Sequence, residues 1–166
     1  MSKPESESLL YKRSRFTTRL ATNLRYTAAH YWLIEEERGI WRVGFTKFAT
    51  RMLGDLVEYA FTINAGDRVM LGQEIGSIEG FKAVTTLFSV AEGEFLGTNG
   101  VLAEDITAVE SDPYGRGWLY RVKGQPDPAS VDVQGYIAIL DATIDRMLES
   151  RHAEGKTPEG MTDDES

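Results

Sequence analysis

The chain has 166 residues, 42% of them apolar and 27% charged, which allows one domain with a real core and is too short for two domains of ordinary size. It contains no cysteine, and its two histidines, His30 and His152, do not stand at a zinc-ligand spacing, so disulfides, a thiol nucleophile and thiolate metal sites are excluded. Any redox or group-transfer chemistry has to come from a cofactor. The net charge of −8 argues against nucleic acid, which demands a basic surface. It is compatible with steering toward basic partners or with simple solubility.

No apolar stretch approaches membrane-spanning length, and the opening MSKPESESLL lacks the order of a secretory signal. A cytoplasmic protein is the simplest expectation, with no membrane and no nucleic-acid partner. Residues 1–25 hold six basic and two acidic groups, with Leu9, Leu10, Phe16 and Leu20 as possible anchors. The acid-free run from Leu9 to Arg25 would also suit an organelle transit segment and a mitochondrial home, but Glu5 and Glu7 count against it. An extension lying on the domain is the preferred reading.

From Tyr31 the pattern is β-rich. Tyr31–Glu37 and Ile40–Thr46 flank Arg38–Gly39 and predict a hairpin. A short helix follows, with Thr46 as N-cap, Phe48, Met52 and Leu53 near one face and Gly54 as the stop. Next come a strand in Asp55–Thr62, a turn at Asn64–Asp67, and strands around Val69, Ile75–Glu79, Ala83–Ser89 and Glu94–Gly97. Asn99–Gly100 is a turn, Leu102–Val109 a short helix, and Trp118–Lys123 a closing strand. Many short strands separated by turns predict a mainly β sandwich or barrel with peripheral helices.

Gly124, Pro126 and Pro128 mark a break after that strand. Val133, Ile137, Leu140, Ile144 and Met147 then recur at helical spacing behind Asp132, which can cap them. The additional C-terminal amphipathic helix should cover its stripe on the same chain, a dimer seam being the alternative. The division expected is a 1–25 extension, a 26–124 main domain, a 125–152 linker and helix, and a 153–166 flexible acidic tail.

The chemistry concentrates in Gly66–Gly100, where two strand segments with similar glycine punctuation flank Lys82. A lysine at a tight hairpin tip is accessible to a modifying enzyme, and a long group attached to it could visit several active sites at high effective concentration. Alone, such a lysine is an ordinary solvated surface group. Glu79–Gly80–Phe81–Lys82–Ala83 resembles the lipoyl-attachment motif Glu-Ser-Val/Phe-Lys-Ala of the glycine cleavage system H proteins. Tyr26–Thr27 with His30, Trp32 and Leu33 resembles that family's Tyr-Thr…His-Glu-Trp-Val opening. Val43–Gly44–Phe45–Thr46, with Gly54–Asp55–Leu56–Val57, resembles its Val-Gly-Ile-Thr…Leu-Gly-Asp-Ile-Val pattern. Ser111–Asp112–Pro113–Tyr114–Gly115, with Gly117–Trp118–Leu119, resembles Ser-Asp-Pro-Tyr-Gly-x-Gly-Trp-Leu. These motifs are collinear from about Tyr26 to Lys123.

The resemblance implies a barrel-sandwich hybrid of the lipoyl-domain type, with lipoate attached to Lys82 as N6-lipoyllysine and Glu79, Gly80, Phe81 and Ala83 as flanking recognition residues. It implies a monomeric carrier with no catalytic residues. The carrier would shuttle an aminomethyl group and electrons among glycine decarboxylase (P protein), aminomethyltransferase (T protein) and dihydrolipoyl dehydrogenase (L protein), after modification by a lipoate-attaching enzyme. A cleft shielding the loaded arm from water is expected too. Phe81–Lys82 would be the centre of the turn, with Gly80–Phe81 as the competing register. His30 reads as support for the sandwich, with a contact for the arm or a partner as the alternative, Trp32, Trp41 and Trp118 as core or groove residues, and Asp112–Gly115 as structural turn chemistry.

Three positions depart from the family pattern: Gly80 stands for the common Ser and should free the backbone, Val90 for Pro, and Glu110 for Asn. They leave room for a lipoyl carrier of another pathway, such as sulfur oxidation or lipoate relay, and for an unmodified interaction module. Biotin fits less well, because the Met-Lys-Met setting is missing.

Overall fold

Side chains alternate across a strand, and the strand Tyr31–Glu37 uses both of its faces. Tyr31 and Leu33 enter one apolar core while Trp32 enters a second on the opposite side. The computed structural model describes residues 7–154.

In chain order the strands and helices are β1 (Ser8–Arg13), β2 (Phe16–Ala21), β3 (Arg25–Tyr26), β4 (Tyr31–Glu37), β5 (Ile40–Phe45), α1 (Lys47–Leu53), β6 (Leu56–Phe61), β7 (Arg68–Val69), β8 (Glu74–Gly80), β9 (Val84–Phe88), β10 (Ala91–Thr98), α2 (Val101–Glu104), α3 (Ala108–Ser111), β11 (Tyr120–Pro126) and α4 (Val133–Glu154). Strands β3-β4-β5-β11-β10-β7 form a six-stranded sheet and β6-β8-β9 a three-stranded one. All pairings are antiparallel. The first core fills the space between these sheets, with Leu33, Val43, Phe95 and Val122 from the larger one and Ile75, Ile78 and Leu87 from the smaller. The outer face of the six-stranded sheet is covered by the β1–β2 hairpin and α4, which bury Tyr11, Phe16, Leu20, Tyr26, Trp32, Phe48, Tyr136, Leu140 and Ile144.

Three elements differ from expectation. The basic extension is a β-hairpin, turning at Ser14 with φ +55°, and is fixed to α4 by Tyr11 Oη donating to Asp141 at 2.7 Å and Arg13 Nε donating to Asp145 at 2.9 Å. Leu10 is exposed, whereas Phe16 and Leu20 are buried. The closing strand does not stop at Gly124 but continues to Pro126, because Gly124 pairs with Gly93 and neither presents a side chain between the strands. The Leu102–Val109 helix is two short helices, interrupted where the Asp105 carboxylate accepts the Thr107 amide at 3.1 Å.

The α4 stripe packs on its own chain, with the Asp132 carboxylate accepting the Gly135 amide at 2.9 Å. Its backbone runs to Glu154, into the segment expected as tail, and residues 155–166 lie outside the described part. No helix among the described residues is long and apolar enough to cross a membrane.

Candidate functional site

Lys82 stands at the tip between β8 and β9. Glu79 pairs with Val84, and the Gly80 amide donates to the Ala83 carbonyl at 2.9 Å, which leaves Phe81 and Lys82 as the two central residues. Gly80 has no positive φ, so a type II′ turn starting at that glycine is not formed. Lys82 and Ala83 are exposed, Phe81 is 81% exposed, and Glu79 is half-buried. Exposed apolar side chains continue from Phe81 to Val84 and Phe88 along β9, an edge strand of its sheet.

The tip is held from behind. The Phe81 amide donates to the Asp55 carbonyl and the Lys82 amide to the Leu53 carbonyl, both at 2.9 Å. Gly80 is buried, and a Cβ there would lie 2.2 Å from the Leu53 carbonyl oxygen. Gly80 therefore does not loosen the turn, as the substitution for Ser suggested; it lets the turn settle onto the end of α1. Gly54, with φ +75°, ends that helix, and the stem of Lys82 runs over it at a distance no Cβ could share.

Helix α1 is itself fixed at its start. Thr46 caps it by accepting the Ala49 amide at 3.4 Å. The Tyr114 hydroxyl accepts the Lys47 amide at 3.4 Å, and the Pro113 carbonyl accepts Trp32 Nε1 at 3.0 Å. The Asp112–Gly115 turn is thus structural, as expected, and what it positions is the helix beneath the Lys82 tip. Val90, where the family pattern has Pro, donates its amide to the Tyr120 hydroxyl at 3.0 Å, a bond proline could not make. Glu110 accepts the Leu56 amide at 3.4 Å through its side chain, and its carbonyl accepts Lys47 Nζ at 3.2 Å.

Two clefts flank the tip on opposite faces of α1. One, of about 320 Å³, mixes charged and apolar groups and is lined by Lys47, Arg51, Asp55, Phe81, Lys82 and Glu110 among others. The other, of about 250 Å³, is apolar, with Ala29, Phe45, Ala49, Met52, Leu53, Ala83 and Val84 in its wall. Among the described residues, His30 and Thr85 bring the polar side chains to it, and no carboxylate lines it. Tyr31, at the position of Glu in the family's His-Glu-Trp stretch, points instead into the sandwich core, where its hydroxyl accepts the Phe88 amide at 3.0 Å. Burial pushes that phenol up to about 12.

His30 has φ +71°, and its Nδ1 lies 2.9 Å from the Tyr136 hydroxyl. Burial alone lowers its pKa to about 4, so the imidazole is neutral near pH 7. It packs on Phe48 with ring centroids 4.7 Å apart, the supporting role expected of it, and its ring also lines the apolar cleft. Tyr136 was not among the residues expected to matter, although it falls three after Val133 and four before Leu140 on the predicted stripe.

The family model described as Glycine cleavage H-protein matches residues 24–134. The glycine cleavage system H protein of Edwardsiella ictaluri is 37% identical over 124 residues, covering 72% of this chain and 95% of that one. That of Thermobifida fusca is 41% identical over 108 residues, covering 65% and 84%. The crystal structure of a glycine cleavage system H protein from Mycobacterium marinum superposes with a TM-score of 0.65 at 31% identity, covering 72% of this chain and 97% of that one. With the two sheets folded as a barrel-sandwich hybrid and these matches spanning its whole β body, the chain belongs to the glycine cleavage H-protein family.

Proposed function

We propose that this protein is a lipoyl carrier of the glycine cleavage system, with lipoate in amide linkage to Lys82. The carrying observation is the placement of an exposed lysine at the centre of a two-residue tip whose backbone is fixed to α1, so that only an attached arm would be mobile. Phe81, Glu79 and Ala83 present the surface that a lipoate-attaching enzyme would read, and Gly80 sets its shape by letting the tip sit down on Leu53.

The lipoyl group would supply a reversible disulfide able to take an aminomethyl group and two electrons, sulfur chemistry that a cysteine-free chain cannot provide. The chain's own part is to present, orient and shelter. The apolar cleft beside Ala83 and Val84 can receive an arm folded back from the tip and keep water from its end. The acidic body suits transient docking on basic faces of the decarboxylase, the aminomethyltransferase and the dihydrolipoyl dehydrogenase. On this reading the protein is a carrier component and the catalysis belongs to those partners.

A second reading, a lipoyl carrier serving another pathway, is favoured by one observation: among the described residues the apolar cleft is lined by no carboxylate that could receive a cationic cargo. Both readings require modification at Lys82. Intact-mass measurement after co-expression with a lipoate-attaching enzyme should give one lipoyl adduct in the wild type and none in Lys82→Arg. An adduct that persists in the variant, or no adduct in either, would remove the assignment. Glycine–bicarbonate exchange with the decarboxylase then separates the readings, since only a glycine cleavage carrier supports it.

A further inference from the structure

The His30 wall of the apolar cleft is backed by α4, most of which lies beyond the family-model match. The matched stretch ends at residue 134, and α4 continues for five further turns, carrying Tyr136 against the back of the cleft wall. Tyr136 is fully buried, and its ring stacks on Tyr26 at 4.6 Å and 5°. Its hydroxyl meets two groups, Thr46 Oγ1 at 2.7 Å and His30 Nδ1 at 2.9 Å.

The order of protons in this chain follows from satisfying every buried donor. Thr46 is fully buried and already accepts the Ala49 amide. Among the described residues, the acceptor within hydrogen-bond distance of its hydroxyl is the Tyr136 oxygen. Tyr136 must then direct its own hydrogen to His30 Nδ1. A neutral imidazole that accepts at Nδ1 carries its single proton on Nε2. The reverse order would leave the Thr46 hydrogen buried without a partner, which is costly. The ring lines the cleft, and Nε2 makes no hydrogen bond among the described residues.

We infer that His30 recognises the end of the Lys82 arm, donating its Nε2–H to an acceptor atom there, and that Tyr136 is the positioning residue that keeps it a donor. This rests on the carrier reading of Lys82. The atom recognised bears a free electron pair, either a sulfur of the arm or an uncharged amine. An ammonium would meet a donor and no carboxylate in an apolar wall, an arrangement that penalises charge. Near pH 7 the burial of the ring holds it in the neutral form that such a donor requires.

The test is long-range ¹H–¹⁵N correlation of the imidazoles in labelled protein, recorded without lipoate and with the arm oxidised, reduced, and charged from glycine. Expected are an Nε2–H tautomer for His30 in every sample and a displaced Nε2 resonance when the arm is present. A displacement greatest in the reduced sample identifies sulfur as the acceptor, and one confined to the charged sample identifies the amine. In Tyr136→Phe, which keeps the stacked ring and loses only the hydroxyl, the two tautomers should mix. Alkylation of the reduced arm should then be roughly fivefold faster, the loss of about one ordinary hydrogen bond. An Nδ1–H tautomer in the wild type, or an Nε2 resonance identical with and without every form of the arm, overturns the inference. An unaltered tautomer in Tyr136→Phe overturns the positioning role. Absence of a lipoyl adduct by intact mass overturns the carrier reading and this inference together, whereas an adduct with an unmoved imidazole overturns this inference alone.

Discussion

Gly80 meets Leu53 backbone to backbone: the Leu53 carbonyl oxygen occupies the space where any other residue at position 80 would place its Cβ, 2.2 Å away. The same carbonyl accepts the Lys82 amide at 2.9 Å. Gly80→Ser, which restores the residue usual in the family, should therefore push the tip off α1 and weaken the Lys82 and Phe81 amide bonds. The expected cost is about 1–3 kcal/mol in urea denaturation, in the range for a steric clash at a packed site. Amide hydrogen exchange should quicken selectively at residues 81 and 82. Unaltered protection there would show that the tip is not held through this contact.

The hairpin that precedes the matched family segment is part of the second core. Phe16 is 1% exposed and packs edge-on against Phe48 of α1 with ring centroids 5.3 Å apart. Arg51 of the same helix lies 5.7 Å from the Phe16 ring centroid. Phe16→Ala should cost about 3–5 kcal/mol, the usual penalty for emptying a buried phenylalanine site. Asp145→Asn, which removes only an exposed partner of Arg13, should leave stability nearly unchanged. Chemical denaturation of the two variants side by side checks the contrast. Equal effects would mean that the hairpin adheres through its surface charges and not through its buried face.

Val90→Pro introduces the family's usual residue at a position whose amide this chain employs. The Tyr120 hydroxyl would lose the Val90 donor and keep its own donation to the Phe88 carbonyl at 2.8 Å. A loss of about 1 kcal/mol is expected, the net worth of a typical hydrogen bond. A stability at or above wild type would show that proline's restriction of the unfolded chain outweighs that bond.

Local signals account for what could be foreseen. The β4–β5 hairpin, the capped helix from Thr46 to Gly54 and the stripe on α4 each follow from spacing and end chemistry within a few residues. The β1–β2 hairpin escaped because its turn at Ser14 has no glycine or asparagine, so nothing in the composition marked it. Its alternation of Tyr11, Phe16 and Leu20 acquires meaning only once α4 is there to cover it. β11 runs past the break that Gly124 suggests, because the Gly93 that this glycine faces lies 31 residues away and no local pattern shows the pairing. The same limit applied to the site. The tip lysine could be located by motif, but the clefts arise from segments as distant as Ala29 and Thr85, or Lys47 and Glu110, and no local pattern announces such a meeting.

His30 also gives the fold a pH dependence of known sign. Its pKa is about 4 in the folded protein and near 6.5 in an unfolded chain, and burial is the only cause. Between those values the unfolded chain binds a proton that the native protein does not, so stability falls as pH drops from about 6.5 to about 4 and is fully present above that window. The separation corresponds to about 3 kcal/mol at most, and to less in practice because the ring is not completely enclosed. His30→Asn makes a suitable reference, since asparagine tolerates the left-handed backbone at this position and does not titrate. The stability advantage of wild type over His30→Asn, measured by urea unfolding at successive pH values, should shrink steadily across the window. Direct titration of the imidazole in the folded protein should give a midpoint near 4. A constant difference between the two proteins from pH 7 to pH 4 would mean that the ring is solvated and free to take up its proton, and that it cannot serve as a fixed neutral donor.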